Sequence, residues 1–254
     1  MKCEKSRDQE KGVTSASALD VVLACYSLIT TPCSLERYPC SMGFKFPTVY
    51  PILDSSFIPT QNRSSFLHHL GTTLTEAGAT LLEYRNKTGS DSEILFDGAI
   101  LRKAMPSEKV KLILDDRADL VEHADFDGVH VDAGDLTPAQ ARHLLGPDRI
   151  VGAFGGSDVL LPDILEAPAD YLAIGPVFET RTKHTEKEPI GTEGVRRLRE
   201  QAGPNIVLSA AAGITLETAQ SVLEAGATMV AVAEAIFRTK DPAVEFRRWT
   251  DKLG

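Results

Sequence analysis

The sequence predicts an α/β protein, a single (β/α)8 TIM barrel over residues 42–254 with an N-terminal extension at residues 1–41. Three observations carry this. Short runs rich in β-branched residues alternate with stretches able to form helices, the pattern of parallel strands joined by crossovers. Eight such units fit into 254 residues, a usual length for one closed barrel. The first run ends at Leu53-Asp54 and no Gly-x-Gly-x-x-Gly turn follows it, so the main structural alternative, an open doubly wound sheet, lacks its usual first turn.

The first strand is expected over Phe46–Asp54, followed by a helix from about Asn62 to Ala77. Further strands are expected at Thr80–Arg85, Lys111–Asp116, Gly128–Asp132, Ile150–Phe154, Tyr171–Gly175, Asn205–Ala210 and Met229–Ala233. Each is followed by a stretch that can form a helix, such as Thr137–Leu144 or Leu216–Ala225. Gly78, Gly128 and Gly226 precede strands two, four and eight, where a left-handed glycine would close the preceding helix. The string Glu-Ala-Gly-Ala-Thr occurs at Glu76–Thr80 and again at Glu224–Thr228, marking two equivalent helix-to-strand turns.

Composition narrows the function classes. Hydrophobic residues make up 43% and charged residues 25%, ordinary for a globular chain. The net charge of -9 argues against non-specific nucleic-acid binding, which needs a basic face. No apolar run approaches the length of a membrane span. Cys3, Cys25, Cys33 and Cys40 all precede residue 42, in no zinc-binding spacing, so the barrel has no cysteine to staple it and a cytoplasmic location is expected. Ala18–Cys25 only loosely resembles a lipoprotein signal, because Asp20 interrupts the apolar stretch. The extension is expected to be poorly ordered, with Met42 a sensible true start. Oligomeric state stays open, a homo-oligomer included.

The site of a (β/α)8 barrel lies at the C-terminal ends of its strands. There the sequence places Glu83, Arg85 and Lys87 at a spacing of two, which puts all three on one face of an extended strand. It also places Asp115, Asp116 and Arg117 after strand three, Asp135 after strand four, and Thr180-Arg181-Thr182-Lys183 after strand six. Ala211-Ala212-Gly213-Ile214 follows strand seven and Ala233-Glu234 ends strand eight. Arginine and lysine can neutralise a diphosphate, carboxylates can hold Mg2+, and amides at a helix N-terminus can bind a phosphate monoester. Such a set suggests metal-assisted chemistry on a diphosphate leaving group. The bland readings are surface carboxylates near helix N-termini for Asp116 and Asp135, a salt bridge to Glu83 for Arg85 and Lys87, and a solvated loop for Lys183. His130 is expected to pack at the end of strand four.

The stretch Leu114–Asp135, "LDDRADLVEHADFDGVHVDAGD", resembles the thiamine phosphate synthase signature, as do "GPVFETRTK" at Gly175–Lys183 and "AGITLETAQSVLEAGA" at Ala212–Ala227. The likeness runs from about Tyr50 to Arg248. In that family hydroxymethylpyrimidine diphosphate loses diphosphate to give a stabilised cation, which the ring nitrogen of a thiazole phosphate captures to give thiamine phosphate. The resemblance implies that Arg85, Lys87 and Lys183 hold the diphosphate and that Asp116 and Asp135 hold Mg2+. It implies that Thr180 and Thr182, with the backbone at Ala212-Gly213, hold the thiazole phosphate beside Ala233.

Several family positions differ. Glu83 stands for a glutamine, Asp115 for an asparagine, Ala133 for a glutamine, Phe154 for a serine, Gly156 for a histidine, Ala212 for a glycine and Glu234 for a serine. Glu83, Asp115 and Glu234 each add negative charge where anions are expected. Like charges about 4 Å apart repel by roughly 4 kcal/mol at a surface-like dielectric. Arg85 on the same strand face would offset Glu83, Asp115 could add a metal ligand, and Glu234 would oppose the thiazole phosphate. These departures motivate the alternative, a diverged non-transferase member: a thiazole-tautomerase-like isomerase or a non-catalytic phosphate-ligand binding protein.

Overall fold

A computed structural model describes residues 43–180 and 187–254. The expected extension at 1–41, and the site residues Thr182 and Lys183, lie outside the described residues. The expected architecture is present: eight parallel strands in the order β1 to β8 close into a barrel, with β1 pairing to β8. The strands are β1 Val49–Asp54, β2 Leu81–Arg85, β3 Lys111–Asp115, β4 Gly128–Val131, β5 Ile150–Gly156, β6 Tyr171–Ile174, β7 Leu208–Ala211 and β8 Met229–Val232. The helices are α1 Arg63–Glu76, α2 Asp91–Ala104, α3 Pro138–Leu145, α4 Pro162–Leu165, α5 Gly191–Ala202, α6 Leu216–Glu224, α7 Glu234–Phe237 and α8 Pro242–Leu253. The β3–β4 connection is an exception to the alternation, carrying only a 3-10 turn at Ala118–Leu120.

Local chemistry explains the helix starts. The Ser90 side chain caps α2, while Thr137 and Thr215 cap α3 and α6 in reciprocal boxes with Gln140 and Thr218. The two Glu-Ala-Gly-Ala-Thr turns share one geometry. Gly78 and Gly226 have φ of 91° and 110°, and the next amides, of Ala79 and Ala227, reach back to the carbonyls of Leu74 and Val222. Gly128 corrects the expectation of a third such glycine. It is the first residue of β4, where a Cβ would stand 2.1 Å from the Ile150 carbonyl oxygen. Phe46 also departs from its expected place in β1. Pro47 cannot donate to the sheet, so the ladder starts later, and Phe46 packs edge-on to Phe44 and Tyr171 among the first residues of the strands.

The N-terminal end of the barrel is held by a repeated device. Arg102, Arg142 and Arg199, in the last turns of α2, α3 and α5, donate to carbonyls of the turns that follow, among them those of Val110, Arg149 and Ile206. Each also reaches a side chain just before the next-but-one strand: Asp127, Asp170 or Thr228. Those three acceptors take the amides of Leu112, Val151 and Leu208 from β3, β5 and β7. Backbone groups where pairing begins are thus satisfied by side chains. This face carries stability, leaving the opposite ends of the strands for chemistry.

Candidate active site

Period-two alternation on β2 sends Glu83 and Arg85 into the barrel mouth and turns Tyr84 toward the helices. The backing is fully bonded. Asp97 is completely buried, accepts from Arg63 Nε at 2.8 Å, and receives the Tyr84 hydroxyl at 2.5 Å. Asn86 donates to the Tyr84 oxygen at 3.0 Å and accepts from Ser55 at 3.0 Å. Glu83, Arg85 and Lys87 therefore line one cavity of about 450 Å3, as their spacing predicts. That volume suits a small ligand.

Three carboxylates meet beside them. Ligand atoms of Asp115, Asp116 and Asp132 all lie within 4.8 Å of one another. Asp116 has a left-handed φ of 64°, a conformation that aspartate tolerates better than most residues. Lys87 Nζ bridges the group, bonded to Asp116, 3.0 Å from Asp115 and 3.8 Å from Asp132. Arg85 pairs with Asp54 and lies 3.5 Å from Asp115. Even so, Asp115 Oδ2 and Asp116 Oδ1 are buried without an aligned hydrogen-bond donor. Among the described residues five carboxyl groups line the cavity (Glu83, Asp115, Asp116, Asp132, Asp135) with the cations Arg85, Lys87 and Lys187. A divalent cation held by the carboxylates would offset their charge toward an incoming diphosphate. Hard oxygen donors from three neighbouring carboxylates suit Mg2+.

A hydrogen-bonded chain crosses the floor. The His130 Nδ1 and Tyr171 hydroxyl are 3.1 Å apart, the Tyr171 and Tyr50 hydroxyls 2.9 Å, and Tyr50 donates to Glu83 Oε2 at 2.7 Å. The His130 and Tyr171 rings stack. Burial, then the nearby Asp115 charge, raises the Glu83 pKa to about 8 against the pull of the Tyr50 hydrogen bond. At neutral pH Glu83 is largely a neutral acid, with the donor-plus-acceptor shape of the glutamine it replaces. This corrects the expected partner: Arg85 is taken up by Asp54 and Asp115, and burial with Tyr50, not an ion pair, settles Glu83. Burial and then Asp116 raise Asp115 to about 6, opposed by Lys87 and Arg85. Asp135 is also raised, first by burial and then by Asp116.

Other expected residues divide. Asp135 lines the cavity and accepts the Asp132 amide at 3.2 Å, but it lies outside the three-carboxylate group, where Asp132 stands instead. Phe154, Thr180 and Ala212 line the cavity. Lys187, not singled out by the sequence, sits 4.3 Å from the Phe154 ring centre. Ala233, Gly213 and Glu234 are absent from the cavity wall. Glu234 opens α7 and pairs with Arg238 at 3.1 Å, so the charge expected to oppose a phosphate is turned toward a cation. Gly213 packs where a Cβ would stand 2.4 Å from the Glu179 carbonyl oxygen. Tyr50, Tyr171, Asp132 and Ser209 were not foreseen; the signal that could have found them is the inward parity they share with Ile52, Ala173, His130 and Ala211, which also line the cavity.

Ala212 has a φ of 76°, where its Cβ crowds the backbone. Relief of that crowding outweighs the greater chain entropy of glycine. Ala212→Gly is therefore expected to stabilise the protein by about 0.5–1 kcal/mol in a denaturant melt. No gain would show that the turn is relaxed around alanine.

The family profile described as "Thiamine monophosphate synthase" matches residues 49–236. The chain is 40% identical to "Thiamine-phosphate synthase" of Koribacter versatilis over 205 residues, covering 80% of this chain and 96% of that protein. It is 38% identical to the Agrobacterium fabrum protein of the same name over 169 residues, 65% of this chain and 77% of that one. Among solved structures it is similar to the thiamine phosphate pyrophosphorylase of Pyrococcus furiosus, with a TM-score of 0.67 and 26% identity over 82% of this chain and 98% of that one.

Proposed function

The chain belongs to the thiamine monophosphate synthase family, and we infer that it is a transferase joining hydroxymethylpyrimidine diphosphate to thiazole phosphate, giving thiamine phosphate and diphosphate. The carbon–oxygen bond to diphosphate breaks and a bond from that carbon to the thiazole nitrogen forms. The observation that carries this reading is the convergence of Arg85 and Lys87 on the Asp115–Asp116–Asp132 group at the strand ends.

Arg85 and Lys87 bind the departing diphosphate and stabilise its growing charge, from positions held by the strand and by the buried Tyr84–Asp97 backing. Lys183 extends that cationic set, and Thr180, Thr182 and the Ala212-Gly213 backbone bind the thiazole phosphate. Asp115, Asp116 and Asp132 would hold Mg2+, with Asp135 beside them. When bound, that ion neutralises phosphate oxygens and so weakens the bond to the leaving group. The aromatic floor orients the rings, and bringing two substrates together in one cavity supplies much of the rate. No side chain has to take a proton in the bond-forming step. Among the described residues no helix is long and apolar enough to cross a membrane. A barrel without cysteine needs no oxidising compartment, which supports a cytoplasmic location.

The test is direct. The protein is incubated with both substrates and Mg2+, and thiamine phosphate and diphosphate are measured. Product in equal amounts is expected; none at high protein concentration overturns the reading.

A further inference from the structure

The side chains of the cavity wall opposite the acidic group are apolar apart from one atom. In a closed barrel of eight strands, β7 stands four strands from β3 in either direction, across the mouth from Asp115. Its inward residues are Ser209 and Ala211, flanked by Ala173 on β6 and Ala231 on β8. Ser209 is 1% exposed, its hydroxyl has no hydrogen-bond partner, and it lines the cavity. Buried hydroxyls are nearly always bonded, so one left open toward a cavity marks a place for a ligand's polar atom.

We propose that the Ser209 hydroxyl is a substrate contact, hydrogen-bonded to a ring nitrogen or ring amino group of a nitrogen heterocycle. The proposal rests on the transferase reading for the identity of its ligands. The surroundings select the chemistry. Alanines at 173, 211 and 231 leave room for a flat ring beside the hydroxyl-bonded Tyr50 and Tyr171. Arg85 and Lys87 stand on β2 and beyond it, so the diphosphate they bind lies away from Ser209, while the thiazole phosphate is assigned to the turn beyond the end of β7. A hydroxyl can donate to a ring nitrogen or accept from an amino group, and the pyrimidine and the thiazole each present at least one such atom.

Ser209→Ala separates this role from a structural one, because the two predict opposite stabilities. If the hydroxyl waits for a substrate, removing it relieves an unsatisfied group and raises Tm by about 2–4 °C. The same change raises KM for one substrate roughly five- to tenfold, the value of one neutral hydrogen bond. Whether the pyrimidine or the thiazole KM moves tells which ring Ser209 touches. Unchanged KM for both, or a lower Tm, overturns the proposal. The rise in Tm that each substrate alone induces is measured in parallel. If the unaltered protein forms no product, the transferase reading falls, while a smaller ligand-induced rise in Ser209→Ala still supports the contact and an equal rise still overturns it.

Discussion

Asp116→Asn is expected to lower kcat/KM by roughly two to three orders of magnitude and to raise the Mg2+ concentration needed for half-maximal rate. Asp116 is the carboxylate that Lys87 touches most closely, and it lines the cavity within the three-carboxylate group. Asparagine keeps the shape and tolerates the left-handed backbone, so the melting temperature should change little. Lost activity can then be assigned to the lost charge. The parallel substitutions discriminate between two geometries. Asp132→Asn should shift the Mg2+ dependence more than Asp135→Asn, because Asp132 belongs to the close group and Asp135 does not. A Mg2+ dependence left unaltered by Asp116→Asn would remove the residue from the metal site.

Glu83→Gln is expected to stabilise the protein in mild alkali and to have little effect in acid. The carboxyl has a pKa of about 8 in the folded state, against 4.5 for the ordinary group. Between those values the folded state binds more protons than the unfolded one. Stability is therefore full below about pH 4.5, falls as the pH rises, and levels off above about pH 8. At about 1.4 kcal/mol per pH unit the loss amounts to roughly 3–5 kcal/mol. Glutamine can still accept the Tyr50 hydrogen bond and has nothing to ionise. Asp115, raised to about 6, adds a smaller fall of the same sign at lower pH, and that step stays in the variant. Denaturant melts without Mg2+ at pH 5, 7 and 9 read the difference directly. Equal stabilities of the two proteins at pH 9 would show that Glu83 ionises freely.

Some of this was legible in the chain. Arg85 and Lys87 were placed by parity, since period two carries straight through a strand end. Asp116 was placed by its position just past β3. Gly78 and Gly226 were placed because a helix that must turn into a strand needs a left-handed residue. Glu234 was read as opposing a phosphate from the resemblance alone, which does not show that α7 begins there and that Arg238, one turn on, pairs with it. The partner of Glu83 was missed for another reason. Tyr50 lies 33 residues away, on a strand whose inward face is known only once the barrel is closed.

The sequence by itself determined the barrel and the strand end at which Arg85 and Lys87 line the cavity. These follow from repeats of two and of about four residues and from turn chemistry, which act over short stretches of chain. Only the tertiary structure decided which carboxylates meet, what neutralises Glu83, where the Glu234 charge points, and that Ser209 faces the cavity unbonded. Those depend on distances between strands remote in sequence, and on how far each side chain is removed from water, quantities that exist only once β1 has paired with β8.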